Sequence, residues 1–128
     1  MHEPLPASLR EVFDASRHVG APAGAQRRGE ARNEACGDVV VIWLRVGAGD
    51  APVIEAAGFK AQGCPAAMAA AAGACEVLSG LRADSALGKA LAAAFSAKFG
   101  APKAAHRHAM ALVCEAASNA MNRERGET

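Results

Sequence analysis

The sequence predicts an α+β protein whose strands come before its main helices. Residues 38–46 (Asp-Val-Val-Val-Ile-Trp-Leu-Arg-Val) are dense in β-branched and aromatic side chains. A Gly-Ala-Gly-Asp turn at 47–50 separates them from a second strand at 52–61, which makes a hairpin. Three helix-forming segments then follow with no strand between them, so the order is segregated rather than alternating βαβ.

The elements follow in chain order. Residues 1–16 hold one short helix, with Ser8 as its cap, Glu11 three residues later, and Leu9, Val12 and Phe13 as an apolar stripe. Residues 17–35 are rich in Gly, Ala, Pro and Arg and show no periodicity, so they read as a flexible or loosely docked arm. In the first strand, Val40, Ile42, Leu44 and Val46 face the helices, leaving Val39, Val41 and Trp43 on the other side. Either a partner, a loop or the arm covers that second stripe, or it is an exposed apolar patch.

The first main helix spans Cys64–Ser79, with Pro65 at its first position and Gly80 after it. The second spans Asp84–Phe99, capped by Asp84 or Ser85 and closed by Gly100. The third covers 104–123, with Met110, Val113, Ala117 and Met121, or Leu112 and Ala116, as candidate core positions. The expected organisation is one domain over 1–128: arm at 17–35, sheet at 36–65 and three helices at 65–123.

Composition narrows the function classes. Ala supplies 34 of the 66 apolar residues, so the core depends on 32 larger or sulfur-bearing side chains. So small a core leans on a metal, a partner or an oligomer. Net charge is +1 and the sequence contains no Tyr, which argues against a nucleic-acid partner. The opening Met-His-Glu-Pro lacks the pattern of a secretory signal, and no apolar run is long enough to cross a bilayer. A cytoplasmic protein without membrane association is expected. There the four Cys are free thiols or metal ligands rather than disulfides.

The hairpin brings Cys36, at the start of the first strand, beside Cys64, at the end of the second. Cys64 also opens a helix, where the positive dipole end favours a thiolate. Asp38 flanks the same point with a hard oxygen donor. Two thiolates and a carboxylate at one sheet end form an incomplete metal site, while small buried core thiols remain the plain alternative. The last helix has to supply anything further. Cys114, His106 and His108 are the candidates there, although the plainer reading is a core thiol for Cys114 and a surface position for each His. Cys75 lies eleven residues after Cys64, too far along the helix to share a site with it, and reads as core.

These residues carry a resemblance. Asn33-Glu34-Ala35-Cys36-Gly37-Asp38 resembles the Asn-Pro-x-Cys-Gly-Asp signature of the IscU/NifU/SufU-type iron–sulfur cluster assembly scaffolds. The run Gly63 to Ala71, beginning Gly-Cys-Pro, is similar to that family's Gly-Cys-x-x-x-x-Ala-Ser stretch, with matching spacing and with Phe59-Lys60 before it. Ser16 to Gly20 resembles the upstream Asn-Pro-x-x-x-Gly stretch, so the likeness spans about residues 8–122. It implies a small, mainly antiparallel three-stranded sheet with helices packed on one face. It also implies a non-enzymatic scaffold that receives sulfide from a cysteine desulfurase together with iron. Such a scaffold builds a labile 2Fe-2S cluster on three Cys and an Asp, passes it to client proteins, and often binds zinc there. Carried over, the site residues are Cys36, Asp38 and Cys64.

The fourth family position departs from the pattern. Counted from Arg107, the third Cys is replaced by Met110, a thioether unsuited to ferric iron or zinc. Cys114 substitutes after a one-turn shift, or His106 or His108 reaches in. The chaperone-binding Leu-Pro-Pro-Val-Lys stretch is replaced by Gly100 to Ala105, and Ala follows Cys64 where the family has Ser.

Three functions are consistent with these residues. The first is a cluster scaffold or carrier using Cys36, Asp38, Cys64 and a last-helix ligand, taken as Cys114. The second is a degenerate relative that binds zinc or no metal and docks on a desulfurase or client. The third is a thiol enzyme with Cys64 as nucleophile and Cys36 as resolving thiol. A monomer or weak homodimer is expected in each case.

Overall fold

The computed structural model describes residues 6–15, 17–35 and 37–122. Helix α1 (Ala7–Asp14) is followed by strands β1 (Arg27–Asn33), β2 (Asp38–Val46) and β3 (Ile54–Gln62). Helices α2 (Pro65–Leu78), α3 (Leu87–Phe99) and α4 (Arg107–Asn122) complete the chain, with one short 3-10 turn at Ala104–His106 before α4. The strands form an antiparallel sheet in the order β1-β2-β3, as the resemblance implied.

Strand β2 forms because alternating large apolar groups can be buried against helices. Val40, Ile42 and Leu44 are fully buried, and Val46 nearly so. The helix layer that covers them is built from small residues. Ala67, Ala69, Ala71 and Ala74 of α2 have no exposed surface, so the α2 backbone lies close to the sheet. The bulk comes from Leu78, Leu87, Leu91, Phe95 and Phe99, which fill the space between α2, α3 and α4.

The largest departure from the sequence reading is at residues 27–33, expected as part of a flexible arm and found as strand β1. Arg-Arg-Gly-Glu-Ala-Arg-Asn has no β-branched residue, so local propensity gives no strand signal. Tertiary contacts supply it. Gly29 and Ala31 face α4, and a Cβ on Gly29 would run into the backbone of Ala116 and Ala120. The Asn119 side chain donates to the Glu30 carbonyl at 2.8 Å, tying α4 to the strand's free edge. On the other face Glu30 bridges Arg28 at 3.0 Å and Arg32 at 2.9 Å.

The rest of the expected arm is also paired. The Phe59 amide donates to the His18 carbonyl and the Gly20 amide to the Phe59 carbonyl, extending β3's outer edge. Arg45 donates to the Ala23 carbonyl at 3.0 Å. Gln26 brackets Val46 with two 2.9 Å bonds, which supports the strand where the β2–β3 register slips. The Val39–Val41–Trp43 stripe is flanked by Arg28, Glu30 and Arg32 from β1 and Lys60 from β3, and Val41 is 6% exposed. Long charged side chains border it rather than a loop.

Two helix starts also differ. Pro6 rather than Ser8 precedes α1, and Ser8 lies inside the helix without a capping bond. Helix α3 begins at Leu87 rather than Asp84, because Asp84 forms a turn that accepts from the Ala86 and Leu87 amides.

Candidate metal centre

The β2–β3 register sets Val39 opposite Gln62. Asp38 therefore lies beside Gly63 and Cys64, where β3 ends and α2 begins. Asp38 is 1% exposed and is the one buried charged residue among those described. Its Oδ1 accepts from the Cys64 amide at 3.0 Å, and its Oδ2 accepts from the Cys64 thiol at 3.4 Å. Cys64 is the N-cap of α2 and makes no side-chain capping bond; Pro65 follows at the first helical position. The Asp38 carboxylate therefore satisfies the N-cap residue's own amide, one of the donors at the helix start that have no partner within the helix.

Gly63 makes this approach possible. Its φ is +123°, and a Cβ there would collide with Asp38 Oδ1. At the neighbouring hairpin the Gly37 amide donates to the Asn33 carbonyl at 2.8 Å, and Asn33 Oδ1 accepts from the Ala35 amide at 3.1 Å. Cys36 is outside the described residues; in the sequence it stands two residues before Asp38.

The last helix supplies a third donor. Ligand atoms of Asp38, Cys64 and His108 lie within 4.8 Å of one another. Burial is graded across them: the carboxylate is buried, the thiol half-buried and the imidazole exposed. Carboxylate, thiol and imidazole are all donors for zinc and for iron. An exposed ligand leaves a route for a metal to enter and leave.

His108, two residues before Met110, is thus the last-helix donor that lies beside Asp38 and Cys64. A step of two residues turns an α-helix by about 200°, so these two side chains leave opposite faces of α4. Met110 is 7% exposed and lines a small apolar pocket with Leu9, Ala66, Phe95, Phe99 and His106. His106 is thus directed to that pocket and not to the donor group. Cys114, expected as the last-helix ligand, is not part of the group either. It lies six residues after His108, about 9 Å further along the axis, and packs half-buried against the core. Burial pushes its thiol pKa up to about 11. Cys75 is a core thiol as expected, 2% exposed, and burial, reinforced by the Glu76 charge, pushes it well above the usual thiol range. The sequence named His108 among its alternatives but held no signal to select it, because α4 has no strong register mark until its packing on β1 is known.

The fold and the donor group together define a class: a three-stranded sheet backed by helices, with an open thiol–carboxylate–imidazole group where sheet and helices meet. The chain belongs to the NifU-like N-terminal domain family, whose profile matches residues 7–127. No curated protein matches it. Among solved structures it is similar to a chain from thermophilic Fervidobacterium islandicum AW-1 described as an iron–sulfur cluster assembly scaffold protein for the SUF system. That match has 16% identity and a TM-score of 0.60, covering 90% of this chain and 94% of the other. It is also similar to the N-terminal part of a nitrogen-fixing NifU-like protein from Brucella abortus, at 16% identity and a TM-score of 0.64, with 91% of each chain covered. At these identities the two structures establish a shared fold. No helix among the described residues is long and apolar enough to cross a membrane.

Proposed function

We propose that this chain is an iron–sulfur cluster scaffold or carrier, a single non-enzymatic domain that holds a 2Fe-2S cluster transiently and yields it to client proteins. The observation that carries the reading is the convergence of Asp38, Cys64 and His108 in a NifU-like fold. Cys36, two residues before Asp38 in the sequence, completes a set of two thiolates, one carboxylate and one imidazole.

Each described residue has a distinct task. Cys64 binds iron as thiolate, so its proton passes along the existing hydrogen bond to Asp38 Oδ2 and is released to solvent before the carboxylate binds. Asp38 Oδ1 keeps the Cys64 amide, which fixes the sulfur's position while the second oxygen is exchanged. His108 binds through a neutral ring nitrogen from the solvent side, where a client approaches. An imidazole cannot carry a persulfide, so sulfur from a cysteine desulfurase is received on Cys64 or Cys36, not on the last helix at the site.

The test is anaerobic reconstitution of the full chain with ferrous iron and sulfide, followed by the visible spectrum and metal analysis. Charge-transfer bands with equal iron and sulfide, lost in Cys64→Ala, support the reading. No bound iron after reconstitution sinks it. One observation favours a second reading, a zinc-binding or metal-free docking module for a desulfurase or client. His108 replaces a thiolate, and a mixed nitrogen, oxygen and sulfur set suits zinc. Zinc retained stoichiometrically in the presence of iron and sulfide would select it.

A further inference from the structure

The sheet's outer face carries a groove of about 390 Å³ that the metal site does not use. Its floor is Val39, Val41 and Trp43 of β2. Arg28 stands opposite Trp43 and Arg32 opposite Val39, while Lys60 stands opposite Val41 from β3. Glu30 is the one carboxylate in the lining, and Arg28 and Arg32 already bind it at 3.0 and 2.9 Å. Three cations against one carboxylate leave the groove positive, although the whole chain carries only +1. The groove ends beside the site, on the opposite face of the sheet. Val39 follows Asp38 directly, and its register partner Gln62 stands two residues before Cys64.

We propose that this groove docks an acidic, partly apolar segment of a partner protein that exchanges metal or cluster with the Asp38–Cys64–His108 site. Carboxylates on the segment pair with Lys60 and with the outer hydrogen-bonding edges of Arg28 and Arg32, and its apolar side chains lie over Trp43 and Val39. A segment laid along β2 ends at the sheet margin beside the site, whose buried Asp38 side chain turns to the helix face. The partner's role rests on the scaffold reading. The docking itself is tested without metal, so failure of one is distinguishable from failure of the other.

Trp43 is the only tryptophan in the chain and lies in the groove, so its emission reports occupancy. The chain is titrated with short peptides that alternate Leu with Glu or Leu with Lys, and with single-stranded oligothymidine. The expected result is a saturable emission change with the Glu peptide alone, weakened by added salt. Lys60→Glu and, more mildly, Lys60→Ala should weaken it, the reversal roughly tenfold. Arg10→Glu, a reversal on exposed α1, should leave it unchanged, and far-UV circular dichroism confirms that each variant is folded. No saturable change, an equal response to the Lys peptide, or tighter binding of oligothymidine would overturn the proposal. So would an emission change on simple concentration of the chain, which would give the groove to a second copy.

Discussion

Asp38 grips Cys64 at two points, its Oδ1 holding the amide at 3.0 Å and its Oδ2 the thiol at 3.4 Å. A buried carboxylate thereby joins the first residue of β2 to the residue that caps α2. The same contact closes the sheet-to-helix junction and sets the position of the Cys64 sulfur.

Removing that carboxylate has two separable effects. Asp38→Ala leaves the Cys64 amide unpaired at a helix start and should cost about 1–3 kcal/mol. Asp38→Asn keeps an oxygen for the amide and should cost less in stability, but it replaces an anionic ligand by a neutral one. Chemical denaturation should therefore rank Ala as the less stable variant, while both variants lose metal affinity. Equal stability of Asp38→Ala and the parent chain would contradict this role.

Gly63→Ala should be harmful without touching any donor atom. The substitution forces a left-handed φ on a side chain and drives its Cβ into Asp38 Oδ1. A loss of about 1–3 kcal/mol is expected, with weaker metal binding because the Asp38–Cys64 contact must open. Gly49→Ala is the control. It also has a positive φ but nothing near its Cβ, so it should lose stability and keep metal affinity.

Glu76 contributes to acid stability away from the site. Burial pushes the Glu76 carboxyl up, but the His18 hydrogen bond and charge, with the Arg17 guanidinium, outweigh it and hold the pKa below the ordinary 4.5. A lowered folded pKa means that the unfolded chain binds the proton first as pH falls. The stabilisation is thus full above about pH 4.5 and is lost as pH drops through the folded value. With the carboxyl 21% exposed the effect should be about 1 kcal/mol or less. Glu76→Gln should lower stability near neutral pH and flatten the acid limb of a stability–pH curve; an unchanged limb would remove this assignment.

The sequence made some of this legible and hid the rest for physical reasons. Val40, Ile42 and Leu44 announce β2 because burial on a sheet face demands β-branched and large apolar groups in alternation. The Cys64-Pro65 junction announces α2 because proline fits the first turn. Strand β1 stayed hidden because Gly29 and Ala31 are chosen for the closeness of α4 and carry no strand signature of their own. The same packing concealed the last ligand. Met110 and His108 are two positions apart in sequence but leave opposite faces of α4. Only the placement of that helix on β1 decides which one meets Asp38 and Cys64.

The most direct measurement compares metal loading side by side in the parent chain, Cys64→Ala, His108→Ala and Cys114→Ala. Each is reconstituted anaerobically with iron and sulfide, and bound iron and sulfide are determined per chain. The expected result is equal loading in the parent and Cys114→Ala, with a loss of most bound iron in Cys64→Ala and His108→Ala. Full loading of His108→Ala together with loss in Cys114→Ala would contradict the site built here from Asp38, Cys64 and His108.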